Sequence, residues 1–282
     1  MADIKIYGVP PSSFTRTVRL ACHEKGIDYE LVPMFPGQMG ALNPFQKIPA
    51  ITHGDLTLYE STAILRYFDR TFPGPKLWPA DSRQAALCDQ YVSAVCDSLV
   101  NSALRYLANH FGFLPVPQEM ADKYLAKACE VVPVFDRQLG QSRYLVGDSA
   151  TAADLFLAPI AFNFPAVPGL REIGEASPNI ARWMAEMAAR PSMKATEPAP
   201  IAAVAALKAA LRHHLISRYP STGNSTDDPQ GNLARQDHCR ERQHPGSRRL
   251  RLLPARHGAH GAAEEHAQDG KRSGMSARRS VL

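Results

Sequence analysis

At 282 residues, with 45% apolar and 21% charged side chains, the chain has the size and balance of a globular protein of one to three domains, and no run of about 18 apolar residues is present to cross a membrane. The net charge of +5 is uneven: residues 201–282 hold 14 Lys/Arg against 7 Asp/Glu, while residues 1–200 hold 18 against 20, so the near-neutral body offers no nucleic-acid footprint. The five cysteines (Cys22, Cys88, Cys96, Cys129 and Cys239) are odd in number, scattered and without a Cys-x-x-Cys pair, which argues against a disulfide framework or structural zinc and for a reducing cytoplasm.

Met1-Ala-Asp-Ile-Lys5 enters an alternating pattern directly, so no secretory signal is expected. Ile4 to Tyr7 reads as a short strand, broken by Gly8-Val9-Pro10-Pro11. Ser12-Ser13 then precedes a helix in which Phe14, Val18 and Cys22 share a face, with Gly26 at its C-terminal stop. Tyr29 to Val32 is a second strand, followed by an irregular stretch from Pro33 to Leu42. Pro49-Ala-Ile-Thr and Leu56-Thr-Leu-Tyr flank His53-Gly54-Asp55 as a hairpin. Ser61 is placed to cap a helix with Ile64, Leu65 and Phe68 inward, ended by Pro73-Gly74-Pro75.

From Ser82 the strand signals nearly vanish. Ala85 to Asn109 carries Leu87, Tyr91, Ala94, Val95, Leu99 and Val100 at helical spacing, with Gly112 and Pro115 beyond it. Gln118 to Leu139 is another helix, kinked at Pro133. Thr151-Ala-Ala-Asp154 has capping-box spacing before an apolar run, and Ile180 to Ala189 reads as a last helix before Arg190-Pro191. The expected organisation is an α/β domain over 1–80, an all-helical domain over 82–212 and a basic, disordered tail over 213–282. Of the 22 aromatic residues only Tyr219 lies beyond residue 200, too little for a core there. Contact with acidic partners is the alternative use of the tail.

Three positions in the α/β unit could carry chemistry. Ser12 stands where unpaired N–H groups and the positive end of a helix dipole converge, and its hydroxyl can donate to an anion such as a thiolate; alone it reads as an N-cap. Ile48-Pro49 opens a strand, where a cis bond would turn backbone groups outward and a trans bond would make a plain strand edge. Glu60-Ser61 opens a helix, offering an acid for an ammonium group and a hydroxyl for a carboxylate, or else only a cap. All three lie at element ends within one small unit, so they can converge on one cleft, and together they suit a small thiol peptide. With no cysteine in the turn, the unit has no dithiol chemistry of its own.

Tyr7-Gly-Val-Pro-Pro-Ser12-Ser-Phe-Thr-Arg-Thr-Val-Arg19, Asn43-Pro-Phe-Gln-Lys-Ile-Pro49-Ala, Leu58-Tyr-Glu60-Ser61-Thr-Ala-Ile64 and Gly147-Asp-Ser-Ala-Thr-Ala-Ala-Asp154 occur in order along residues 3–200. In these segments the chain resembles the cytosolic glutathione S-transferases, most like the serine-type phi and theta classes and their bacterial relatives. The resemblance implies an α/β thioredoxin-like N-terminal domain followed by an all-α helical C-terminal domain, in a homodimer. It implies glutathione as co-substrate and a small, apolar electrophile as the second substrate. Ser12 would hydrogen-bond the glutathione sulfur, with Ser13 as the alternative donor. Lys47 would lie near the glycine end, Ile48 before cis-Pro49 would pair its backbone with the cysteinyl part, and Glu60 and Ser61 would hold the γ-glutamyl end. Thr151 and Asp154 would cap a core helix, and Tyr106, Phe111 and Phe113 would flank the electrophile or else pack as plain core.

The chain departs from the plant phi pattern in the loop Pro36-Gly-Gln-Met-Gly-Ala-Leu42, which lacks the His or Lys pair for the glycine carboxylate; Gln38 is the candidate replacement. Peroxide reduction, dehalogenation and isomerisation would share the same motifs. A non-catalytic module binding glutathione, apolar ligands or proteins is the alternative, and it has no need of Ser12, Glu60 or Ser61.

Overall fold

A computed structural model describes residues 3–198. The end of the helical region as read from the sequence, and the whole of the basic tail, lie outside the described residues.

The first half is a four-stranded mixed sheet in the order β2-β1-β3-β4, formed by β1 (Ile4–Gly8), β2 (Tyr29–Pro33), β3 (Ala50–His53) and β4 (Leu56–Tyr59). β1 runs parallel to β2 and antiparallel to β3, which forms an antiparallel hairpin with β4. Alternation in β1 buries Ile4 and Ile6 and leaves Lys5 exposed. Helix α1 (Ser13–Lys25) supplies the parallel crossover and buries Val18, Ala21 and Cys22, while Phe14 is only half-buried. It ends as the sequence predicts: Gly26 is left-handed at φ 65°, and the Ile27 N–H bonds the Cys22 carbonyl at 2.8 Å. Gly8 lets α1 approach the sheet, since a Cβ there would lie 2.4 Å from Thr15 Oγ1. Helix α2 (Ser61–Thr71) buries Ile64, Leu65 and Phe68. Glu60, not Ser61, stands at its cap position, and Ser61 is the first helical residue.

The second half is helical. The predicted Ala85–Asn109 helix is one continuous rod: α3 (Ser82–Ala94), a π-wound stretch over Val95–Leu104 and α4 (Arg105–His110). Tyr91, Val95 and Leu99 face the core, but Leu87 stays 43% exposed because its side of the rod has no described neighbour to cover it. Helix α5 (Gln118–Leu139), with Pro133 inside it, packs along this rod. Helix α6 (Ala152–Ala161) is buried over its full length and lies against α1, joining the halves. Three short or terminal helices follow: α7 (Leu170–Glu175), α8 (Pro178–Ala188) and α9 (Pro191–Ala195). Pro191, read from the sequence as a stop, instead starts α9, because its fixed φ and missing N–H suit a first helical turn.

Two polar arrangements secure α6 and α9. Asp154 receives the N–H groups of Leu145 at 3.0 Å and Thr151 at 2.9 Å, the Thr151 hydroxyl at 3.1 Å and Trp183 Nε1 at 2.9 Å, completing the expected capping box. Glu24 of α1 takes Arg190 Nε at 2.9 Å and Nη2 at 2.5 Å together with the Ser192 hydroxyl, clamping α9 to the N-terminal half. Among the described residues no helix is long and apolar enough to cross a membrane.

Candidate active site

The strand register brings the three sequence motifs to one end of the sheet. Tyr7, Ala50 and Tyr59 are neighbours across β1, β3 and β4. Ser12 follows the end of β1, Pro49 immediately precedes Ala50, and Glu60 immediately follows Tyr59. Adjacent strands lie about 4.8 Å apart, so the three sites share one end of a small sheet.

Ser12 caps α1 from an extended backbone, its Oγ accepting the Thr15 N–H at 3.3 Å. That bond uses an oxygen lone pair and leaves the hydroxyl proton to donate elsewhere. Ser13 differs: its hydroxyl points to the Pro159 carbonyl of α6 at 3.5 Å.

The Ile48-Pro49 peptide is cis, with Pro49 buried and Ile48 half-buried. The preceding loop is fixed by its own amides. Asn43 Nδ2 donates to the Lys47 carbonyl at 2.8 Å, its Oδ1 takes the Phe45 N–H at 2.9 Å, and Gln46 Oε1 takes the Met39 N–H at 3.1 Å. Lys47 therefore has a pinned backbone and an exposed side chain. Gln38 turns its Oε1 back to the Phe35 N–H at 3.0 Å, which occupies that oxygen within its own loop.

Glu60 is exposed, with φ 68° and ψ 111°; only Gln46, among the described non-glycine residues, also has positive φ. A non-glycine residue held there costs on the order of 1–3 kcal/mol, and such positions cluster where a loop must present a side chain or backbone group in one direction. Ser61 is 8% exposed in the first turn of α2, where the N–H groups have no partner within the helix.

Beside Ser12 opens a cavity of about 390 Å³ between the two halves. Pro10, Pro11, Ser12, Ser13 and Ile48 line it from the sheet side, and Leu104, Leu107, Phe111, Phe113 and Pro159 from the helical side. Phe111 and Phe113 line this cavity, but Tyr106 is not among its lining residues; its hydroxyl lies beside Gly169 instead. The sequence reading missed Arg16, Phe35 and Asn163, which also line it. The signal for Arg16 was its spacing, four residues after Ser12 and therefore on the same side of α1. Burial lowers the Arg16 guanidinium to about 10, with Arg19 adding repulsion and Glu197 acting in the opposite direction.

A mixed four-stranded sheet with a cis-proline at the head of a central strand, joined to a helical half across an apolar cleft, defines a thioredoxin-like domain with a helical companion. Residues 6–76 match the family model for the glutathione S-transferase N-terminal domain, and residues 87–191 match that for the C-terminal domain. Glutathione S-transferase F7 of Arabidopsis thaliana is 30% identical over 208 residues, covering 69% of this chain and 99% of the relative. The crystal structure of glutathione transferase F7 from Populus trichocarpa superposes with a TM-score of 0.62 at 28% identity, covering 68% of this chain and 97% of that one. A glutathione S-transferase-I structure bound with lactoylglutathione gives 0.60 at 28% identity, covering 68% and 97%. The chain belongs to the glutathione S-transferase family.

Proposed function

We propose that this glutathione transferase binds glutathione across the ends of β1, β3 and β4, and that Ser12 activates its thiol for attack on a small, apolar electrophile in the adjacent cavity. The observation that carries this reading is the Ser12 hydroxyl, which accepts its cap hydrogen bond, keeps its own proton free and faces the cavity.

A free thiol has a pKa of about 8.5, so only a few per cent is ionised at neutral pH. A hydroxyl donor at the N-terminus of α1 stabilises the thiolate; lowering its pKa by about two units takes about 2.7 kcal/mol of preferential interaction. Ile48 offers backbone groups to the cysteinyl residue, with cis-Pro49 holding them outward. Glu60 accepts the γ-glutamyl ammonium, and the first turn of α2 with Ser61 receives its carboxylate. Lys47 sits towards the glycine carboxylate. The pairing of Ser13 with Pro159 supports Ser12 as the donor.

Residues 1–80 thus serve glutathione, and the helical region from 82 onward serves the electrophile. The protein works as a homodimer in the cytoplasm. Phe45, 63% exposed beside the loop of Lys47, is an apolar side chain that a second copy would cover. Among the described residues Cys22, Cys88 and Cys96 are free thiols. Sedimentation as a monomer would remove the dimer from this reading.

The activity is tested by ultraviolet difference titration of bound glutathione in wild type and Ser12→Ala. The expected result is a thiol pKa well below the free value, returning upward in the variant. Binding without a shift would mean a carrier or scaffold, and no binding would sink the reading.

A further inference from the structure

Building on the glutathione-transferase reading of this site, we propose that Arg16 recognises an anionic group on the electrophile, so that the favoured second substrate is an aromatic electrophile bearing a carboxylate. Among the described residues lining the cavity, Arg16 is the one formally charged side chain and none is a carboxylate. It is 6% exposed, and its backbone N–H bonds the Ser12 carbonyl at 2.9 Å, setting it one helical turn beyond Ser12 on the same side of α1.

The guanidinium has five N–H donors. Its side-chain hydrogen bonds go to neutral oxygens: Nε to Thr196 Oγ1 at 3.4 Å and Nη2 to the Met193 carbonyl at 3.3 Å. Both are long for charge-assisted bonds. The ring of Phe162 lies 5.9 Å from the guanidinium carbon. None of the ion pairs among the described residues includes Arg16, and Glu197 is an exposed acid outside ion-pair distance. Burial lowers the group to about 10, far enough above neutrality to leave it charged. A buried cation with weak neutral partners at an apolar cavity is set up to gain from an anion. In the proposed pose an aromatic ring would lie among Phe111, Phe113 and the prolines that line the cavity, with its reactive carbon towards Ser12 and its carboxylate towards Arg16.

The test compares 4-chloro-3,5-dinitrobenzoate with 4-chloro-3,5-dinitrobenzamide at saturating glutathione, each rate divided by its uncatalysed rate. In both reactions the thiolate electron pair forms the carbon–sulfur bond and chloride leaves with the carbon–chlorine pair; the compounds differ in the carboxylate opposite the chlorine. The expected result is a preference for the benzoate of about tenfold or more in corrected kcat/KM, collapsing towards one in Arg16→Met and partly kept in Arg16→Lys. Equal rates in the wild type, or a preference that survives Arg16→Met, overturn the proposal. If Arg16→Met does not fold, the wild-type ratio and its decline in Arg16→Lys decide. A role for Arg16 confined to the thiolate or to holding α9 would leave the ratio near one. Turnover of both compounds without preference sinks this inference alone, whereas no turnover together with no bound thiolate sinks the underlying reading.

Discussion

Two helix N-termini in this molecule start from similar sequence material and end in opposite conditions. At α6, Thr151 and Asp154 form a closed circuit: four donors converge on one carboxylate that is 0% exposed. Burial pushes the Asp154 carboxyl upward, and the converging donors from Leu145, Thr151 and Trp183 pull against that. At α1, the Ser12 hydroxyl makes one long cap bond, is half-buried and faces a cavity. The first terminus has used its polar capacity to join pieces of the fold. The second keeps a donor in reserve, which is what a binding site needs and a purely structural cap does not.

This contrast is sharpest under substitution. Asp154→Ala leaves four donors without their acceptor inside the core, and should cost about 3–5 kcal/mol of stability in urea unfolding. A loss under about 1 kcal/mol would mean the circuit is not structural and the comparison fails. Ser12→Ala should do the reverse. Its kcat/KM should fall about a hundredfold, as for removal of one donor to a developing or resting anion, while stability drops by about 1 kcal/mol for the lost cap. Ser13→Ala should change kcat/KM by less than about threefold, since the Ser13 hydroxyl points to the Pro159 carbonyl at the long limit of a hydrogen bond. A larger loss in Ser13→Ala than in Ser12→Ala would exchange the two roles.

The sequence was most legible where one local rule had no rival. Alternation in β1, the glycine stop of α1 and the box spacing of Thr151 and Asp154 each needed only neighbouring residues. It was less legible where packing decided. Leu87 fits a buried stripe by spacing yet lies on a side of its rod with no described cover, and Pro191 opens a helix as easily as it closes one. For the candidate site, the residues themselves were recognisable, but their convergence came from the pairing of Tyr7, Ala50 and Tyr59, a long-range fact. Arg16 was hidden for the same reason. Its burial depends on Met193 and Thr196, far along the chain, and on the apolar lining brought in by the helical half.

The clamp on α9 offers a selective test of that dependence. Burial raises the Glu24 carboxyl, but hydrogen bonds from Arg190 and Ser192 and the Arg190 charge outweigh it and hold the group below its usual range. A carboxyl that is lowered in the folded state adds stability that is fully present above its unfolded value, about pH 4.3, and is lost as pH falls through the folded value. Glu24→Gln should therefore destabilise by about 1–2 kcal/mol at neutral pH, with the gap to wild type closing in acid. A gap that stays constant down to acid unfolding would break this account. The same substitution should also lower the preference for the carboxylated electrophile slightly, because α9 and the Thr196 that ends it carry the Met193 carbonyl and Thr196 hydroxyl that position Arg16. Glutathione affinity should stay unchanged, since the clamp joins α1 to α9 and leaves the Ser12 cap, cis-Pro49 and the Glu60 turn as they are.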